Sequence, residues 1–498
     1  MSRLHVAPFA GLLVLLLAGC ATTSTPPRPL VPQGDDCLAL FEQVDQRIEA
    51  AGVADAGYAR IEGYPYLRSD RFSASFASEI SDMDTFWEWV GYLRANEDEA
   101  RDIELRNLGL DRQTASSTLI DLRGCGAWLR SWELDDKAFR EHLLSVVTPP
   151  HEYSTVARTL GLYPLAKPFL NRGVREYQEE VLAEYAKPLD SLEAKGELVL
   201  WKARVSDEYA YETVDLSRKP RDRLGRIGML GSEVIQMAQY HAPQLWIDTA
   251  DDYDLPGQPT VGGGTPGVNV RKPVVYYLPG YTRFGGRNLL QISYFVWFDR
   301  HQSGDSAEGP LDGVIWRVTF DERGQPLMHD TIHACGCYHF AYPVRDMRRR
   351  EVPDDRETML FPQAQVPEGQ ITVRLKSGTH AVQRVLAADQ ARAAGGREYE
   401  LQPYDELLLL PLPEGGTRSL FGPDGLVAGT ERGERFWLWP SGVRSAGAMR
   451  QWGRHATTFV GQTHFDDPFL FETVLVAPPF EGPALAADPH AAEIPLMR

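Results

Sequence analysis

Between positions 329 and 339 the chain reads His-Asp-Thr-Ile-His-Ala-Cys-Gly-Cys-Tyr-His. His333, Cys335, Cys337 and His339 are spaced by two, so on an extended strand all four side chains point to one face. Imidazole and thiolate are the donors that zinc, copper and iron sites draw on, which makes this run the foremost candidate metal site. Its ends lie roughly 20 Å apart on a straight strand. One ion therefore takes a neighbouring pair, helped by a kink at Gly336, and finds its other ligands among His329, His380, His455 and His464. Two other readings of the thiols stay open. A turn at Gly336 would let Cys335 and Cys337 form a disulfide, or both pack as small hydrophobes. The spacing matches no standard zinc signature and is not the C-x-x-C-H of haem attachment.

Weaker constellations follow. His455 to Asp467 (HATTFVGQTHFDD) holds two His and two Asp, the makings of a two-His, one-carboxylate site or of two surface imidazoles beside an acidic turn. Asp248, Asp251, Asp252 and Asp254 lack the spacing of a calcium loop and read as a solvated loop. Phe436-Trp437-Leu438-Trp439 offers ring faces for sugars, or simply packing. No glycine-rich phosphate loop, G-x-S-x-G elbow or H-E-x-x-H pair occurs, which removes common nucleotide-binding and hydrolase signatures.

The elements that must position these residues fall into two textures. Residues 37–205 predict a helical domain: Cys37, Phe41, Val44 and Ile48 form one apolar stripe ended by Gly52, and further helices follow from Ser81 or Asp82, Thr114, Asp135 and Gly173. Residues 206–476 predict a β-rich domain carrying the candidate metal site, after one helix at 232–240. Strands are expected at 273–278, 288–298, 314–320, 327–332, 371–375, 381–386, 406–412 and 436–439. In the second of these, Leu290, Ile292, Tyr294, Val296 and Phe298 alternate. Helices of crossover length do not separate the strands. The expected fold is therefore α+β, with the helical domain first and then a mainly antiparallel sheet, sandwich-like or barrel-like. Residues 477–498 predict a loosely ordered tail.

The N-terminus carries an address. Arg3 precedes an apolar run, Phe9 to Ala18, too short to span a hydrocarbon core of roughly 30 Å. It ends in Leu17-Ala18-Gly19-Cys20, which resembles the lipobox of bacterial lipoproteins. The resemblance implies removal of residues 1–19 and lipidation of Cys20 (palmitate among the acyl chains), with residues 20–36 as a Ser/Thr/Pro tether. Ala21, rather than Asp, implies the outer membrane, periplasm-facing. Gly447 to Gly461 (GAMRQWGRHATTFVG) also resembles a stretch of proteobacterial lipoproteins, a likeness that implies no activity.

In that oxidising compartment Cys37 and Cys125, both in helical patterns, are the economical disulfide pair. The 498 residues carry 51 basic and 69 acidic side chains, a formal charge of −18. So acidic a surface repels phosphate backbones and argues against nucleic acid as a partner. The membrane, through the lipid, is the one expected partner. The expectation is a lipid-anchored envelope protein that binds a transition metal (zinc, copper or iron). A metal-dependent enzyme and a structural or assembly lipoprotein are the alternatives.

Overall fold

The computed structural model describes Thr25, Pro26, Arg28 and residues 32–204, 214–262, 264–353, 356–391 and 396–480. The signal sequence, Cys20, most of the tether and residues 481–498 lie outside the described residues. Helices dominate the first part: α1 (Pro32–Ala51), α2 (Arg71–Ala74), α3 (Met83–Asn107), α4 (Arg112–Glu133), α5 (Lys137–Val146), α6 (Thr155–Leu160) and α7 (Tyr163–Tyr185), with the hairpin β1 (Ala59–Ile61) and β2 (Tyr64–Ser69) after α1. Aspartates cap several of them. Asp82, Asp111 and Asp136 each accept a backbone N–H of the following turn, at 2.9, 3.0 and 2.7 Å.

Helices α1, α3, α4 and α5 pack around the β1–β2 hairpin through Phe41, Ile48, Tyr66, Trp89, Leu122 and Leu143. Cys37 on α1 and Cys125 on α4 are disulfide-bonded across this core, with Cα atoms 5.2 Å apart. Arg68 is fully buried, where only paired charges are tolerated. It meets Glu97 at 2.6 Å and Glu104 at 2.8 Å, and Arg101 closes the network against Glu97 at 2.7 Å.

The remaining strands are β3 (Glu197–Ala203), β4 (Gln244–Thr249), β5 (Gln258–Thr260), β6 (Gly267–Asn269), β7 (Val274–Phe284), β8 (Arg287–His301), β9 (Gly309–Phe320), β10 (Pro326–His333), β11 (Phe340–Pro343), β12 (Ile371–Leu375), β13 (Val382–Ala387), β14 (Gly396–Pro403), β15 (Leu410–Pro411) and β16 (Thr417–Arg418), with α8 (Gly231–Tyr240) and the single turn α9 (Arg435–Leu438). Ten of them form one sheet in the order β11-β10-β9-β8-β7-β14-β3-β4-β12-β13. Only β14 with β3, β14 with β7, and β12 with β4 run parallel. The fold is α+β with a large, mostly antiparallel sheet.

The sheet curls nearly into a barrel. Its two edge strands, β11 and β13, are bridged by one phenol: Tyr185 Oη of α7 lies 2.7 Å from Tyr342 Oη of β11 and 2.7 Å from the Val382 carbonyl of β13. The segment 360–366 stitches the same gap. Ala341 donates to the Leu360 carbonyl and Val366 to that of Pro343, while Gln363 exchanges two hydrogen bonds with the backbone of Val385. Inside lie the alternate residues of each strand, among them Leu290, Ile292, Tyr294, Val296 and Phe298 of β8 and Val314, Trp316, Val318 and Phe320 of β9. The outer face is also covered: Phe295, Trp297 and Ile315 pack beneath residues 404–465.

Four local expectations fail. Residues 37–203 contain β1, β2 and β3, and β3 is an interior strand of the sheet between β14 and β4. Its seven residues, ELVLWKA, are too few to outvote the helical pattern before them. The aromatic run at 436–439 is a helical turn, not a strand, and 406–412 holds only the two-residue β15 behind a 3₁₀ turn (Tyr404–Leu408). Helix α7 runs through Gly173 instead of starting after it.

Candidate metal centre

The His/Cys run does not form one strand. β10 ends at His333, and a tight turn follows. Gly336 donates to the His333 carbonyl at 2.7 Å, and His333 donates to the Cys337 carbonyl at 2.9 Å. Gly336 adopts φ +95°, and a Cβ there would sit 2.3 Å from the Ala456 carbonyl oxygen, so the turn needs glycine. Tyr338 also takes positive φ, at +63°, before β11 returns antiparallel to β10.

The turn separates the four expected ligands. His333 pairs in register with Val314 and faces the barrel interior. Cys335 and Cys337 are free thiols in the turn itself. The Cys337 N–H lies 3.4 Å from Cys335 Sγ. The contact with Cys335, with burial behind it, pushes the Cys337 thiol well up, so it is held protonated and non-nucleophilic. His339 lies on the outer face. Its Nε2 donates to Asp330 Oδ2 at 3.1 Å, and Arg317 grips the same carboxylate at 2.9 and 2.5 Å.

The further candidates scatter as well. His329 stacks on Trp316 inside the barrel, 5.3 Å between centroids, and burial lowers it to about 4. His455 is buried and lowered to about 3 by burial. His464 Nε2 accepts the Glu152 N–H at 3.3 Å, and Asp466 pairs with Arg71 at 3.2 Å. Only His380 joins His333.

What gathers at that end of the barrel is a different set. Asp312, opposite Phe298 in the β8–β9 register, points inward with 0% exposure. As an ionised carboxylate it can only accept, so its imidazole partners donate. His301 Nδ1 donates at 2.9 Å and His380 Nδ1 at 2.7 Å, both to Oδ2, while His333 Nδ1 lies 3.5 Å from Oδ1. Burial alone would push Asp312 up; the imidazoles of His301 and His333 outweigh it and hold it well below the usual carboxylate range.

His380 is wedged between two carboxylates. Its Nε2 lies 3.3 Å from Asp254 Oδ1, and its ring lies flat on Phe298 at 3.8 Å. Burial opposes its proton, yet Asp254 and Asp312 prevail and raise it. Asp254 in turn accepts Ser377 Oγ–H and the N–H groups of Gly378 and Ala250. Within the acidic cluster expected to be solvated, Asp248 likewise turns inward and accepts the N–H groups of Lys195 and Gly196.

Among the described residues, one group of three such side chains brings its ligand atoms within 4.8 Å of one another: His301, Asp312 and His333. Tetrahedral bonds of about 2.0–2.1 Å set donors about 3.3 Å apart. His301 Nδ1 lies 2.9 Å from Asp312 Oδ2 and His333 Nδ1 3.5 Å from Oδ1, near that spacing but to different oxygens, and an ion would replace the proton that His301 Nδ1 donates. His333 Nε2 is buried without a hydrogen-bond partner, and burial lowers His333 despite Asp312, so its ring is neutral and fit to ligate. His380 stands behind Asp312 as the hydrogen-bonded support that metal-binding carboxylates commonly have. His301 and Asp312 carry no local motif. Only the β8–β9 register brings them together. No protein-family model, no curated protein and no solved structure matches the chain.

Proposed function

We propose that this is a lipid-anchored envelope protein that holds one divalent transition-metal ion, zinc or iron(II), with His301, Asp312 and His333 as ligands. The observation that carries the reading is the convergence of two imidazoles and one carboxylate within 4.8 Å at the end of the barrel, a donor set suited to both ions. The ligands are 5%, 0% and 4% exposed. Three protein ligands leave one position open, while the burial of all three restricts access to it, so a binding role and a metal-dependent enzyme are the two readings the site supports.

The anchor belongs to the same reading. It rests on the LAGC sequence at Cys20 and places the protein in the outer membrane, facing the periplasm. Among the described residues no helix is long and apolar enough to cross a membrane. In this proposal the helical part is the first domain and the β-rich part, with β3 (Glu197–Ala203) among its strands, is the second. Two measurements test the proposal. Elemental analysis of the full chain should find one ion per molecule, lost in His301→Gln with His333→Gln and kept in Cys335→Ser with Cys337→Ser. A metal-free parent that takes up neither ion after chelation and reloading defeats the metal reading. Cys20→Ser should abolish lipid labelling, and continued acylation defeats the anchor.

A further inference from the structure

Beside the His333–His339 turn lies a cavity of about 570 Å³, within the size range of small-molecule sites. It opens between α7, α9 and the loop at 457–459. Its walls are mainly apolar and aromatic: Phe169 and Tyr177 from α7, Trp437 from α9, and Phe459. Two carboxylates interrupt them, Glu357 and Glu434. No lysine or arginine is among the described lining residues, and neither carboxylate forms an ion pair among the described residues.

The two acids are held differently. Glu357 Oε2 accepts the N–H groups of Phe459 and Val460 at 2.5 and 3.1 Å, so backbone donors fix the side chain, and Oε1 takes none. Glu434 has no side-chain hydrogen bond among the described residues. An ionised carboxylate against an apolar wall is costly without a partner, and two of them in one cavity compound the cost. Consistently, burial pushes Glu357 up to about 7 and raises Glu434. At the mouth Phe169 and Trp437 are 79% and 68% exposed. Large rings left in water beside a cavity mark a surface that a guest covers.

We infer that this cavity, lined by Glu357, Glu434 and the rings of Phe169, Tyr177, Trp437 and Phe459, is a binding site for an organic cation: an amine or quaternary ammonium with apolar substituents. A positive guest supplies a counter-charge inside the cavity itself, where burial raises Glu434 even against His301 and Arg432. Aromatic faces attract cations through their ring quadrupoles, and the apolar substituents fill the remaining volume. An anionic amphiphile meets two carboxyl groups and no basic group among the described lining residues. The site is separate from the barrel-end cluster, with Tyr338 between them: its ring packs on His333 at 4.9 Å on one side and on Tyr177 at 5.0 Å on the other.

The test is calorimetric titration of the full chain with decyltrimethylammonium below its micellar concentration, and with decanoate as the anionic counterpart. The expected result is saturable one-to-one binding of the cation, with decanoate at least about tenfold weaker. Glu357→Gln combined with Glu434→Gln should weaken the cation about tenfold or more while leaving decanoate unchanged or tighter. The cation–anion comparison on the parent needs no variant, so it decides even if the double substitution unfolds the chain. Equal affinity for the two amphiphiles, no saturable binding of the cation, or full cation affinity in a folded double variant overturns the assignment.

Discussion

Replacing Glu357 with glutamine should make the protein's stability less dependent on pH, in a direction and amount that follow from its burial. In the unfolded chain this carboxyl titrates near 4.5, and in the folded chain at about 7. Below the unfolded value both states carry the proton and the residue costs nothing. As pH rises from about 4.5 through about 7, the unfolded state releases its proton first, and stability is lost until the folded state ionises too. At about 1.4 kcal/mol per tenfold change in proton affinity, the loss approaches about 3 kcal/mol by pH 8. Glutamine does not titrate, and its amide oxygen can still accept from Phe459 and Val460. The variant should therefore gain about 3 kcal/mol on the parent between pH 4 and pH 8, or about 3 °C in Tm for a chain of this length. Scanning calorimetry of both proteins at pH 4, 6 and 8 measures this. A difference that stays constant across that range, or one that shrinks with rising pH, refutes the reasoning.

Three further outcomes are expected. Replacing Cys37 and Cys125 together with alanine opens a closed loop with a sequence separation of 88 and should cost about 4 kcal/mol, read as a lower denaturation midpoint equal to that of the reduced parent. Glu152→Gln strips three arginines of their shared carboxylate, Arg444, Arg450 and Arg454 at 2.7 to 2.9 Å. Because Arg450 is fully buried, the loss should reach about 3–5 kcal/mol, whereas Arg444→Gln, at an exposed partner, should cost under about 1 kcal/mol in the same denaturation assay. Gly336→Ala forces a Cβ against the Ala456 carbonyl at positive φ. It should lower the unfolding midpoint by more than the roughly 1 kcal/mol of the left-handed penalty alone, and reduce metal content by displacing His333.

The strands that could be read from the sequence are those whose two faces differ in kind. In β8 the inward Leu290, Ile292, Tyr294, Val296 and Phe298 alternate with Gln291 and Ser293, and this pattern sufficed. The Cys37–Cys125 bridge was legible because both cysteines fall in helical patterns of the N-terminal third, far from Cys335 and Cys337. β3 escaped because both its ends are exposed and only Val199, Leu200 and Trp201 are buried, which is too short a signal. The His/Cys run misled for a local reason. A spacing of two implies one face only while the strand continues, and Gly336, taken for a kink, is the turn itself. His301 and Asp312 were invisible because nothing in their spacing indicates the register that sets Phe298 opposite Asp312, or the barrel closure that brings His380 across to both.

The position of β14 has a consequence for biogenesis. This strand lies at residues 396–403 in the chain, yet in the sheet it sits between β7 and β3, and among the described strands it alone joins β11-β10-β9-β8-β7 to β3-β4-β12-β13. Until it emerges, the polypeptide holds two half-sheets with raw edges at β7 and β3, each a template for pairing with another chain. Contacts of such long sequence range close slowly. A chain delivered N-terminus first therefore passes through a vulnerable interval that ends only when the last fifth of its length arrives. Truncations before residue 396 should aggregate rather than yield a smaller folded product.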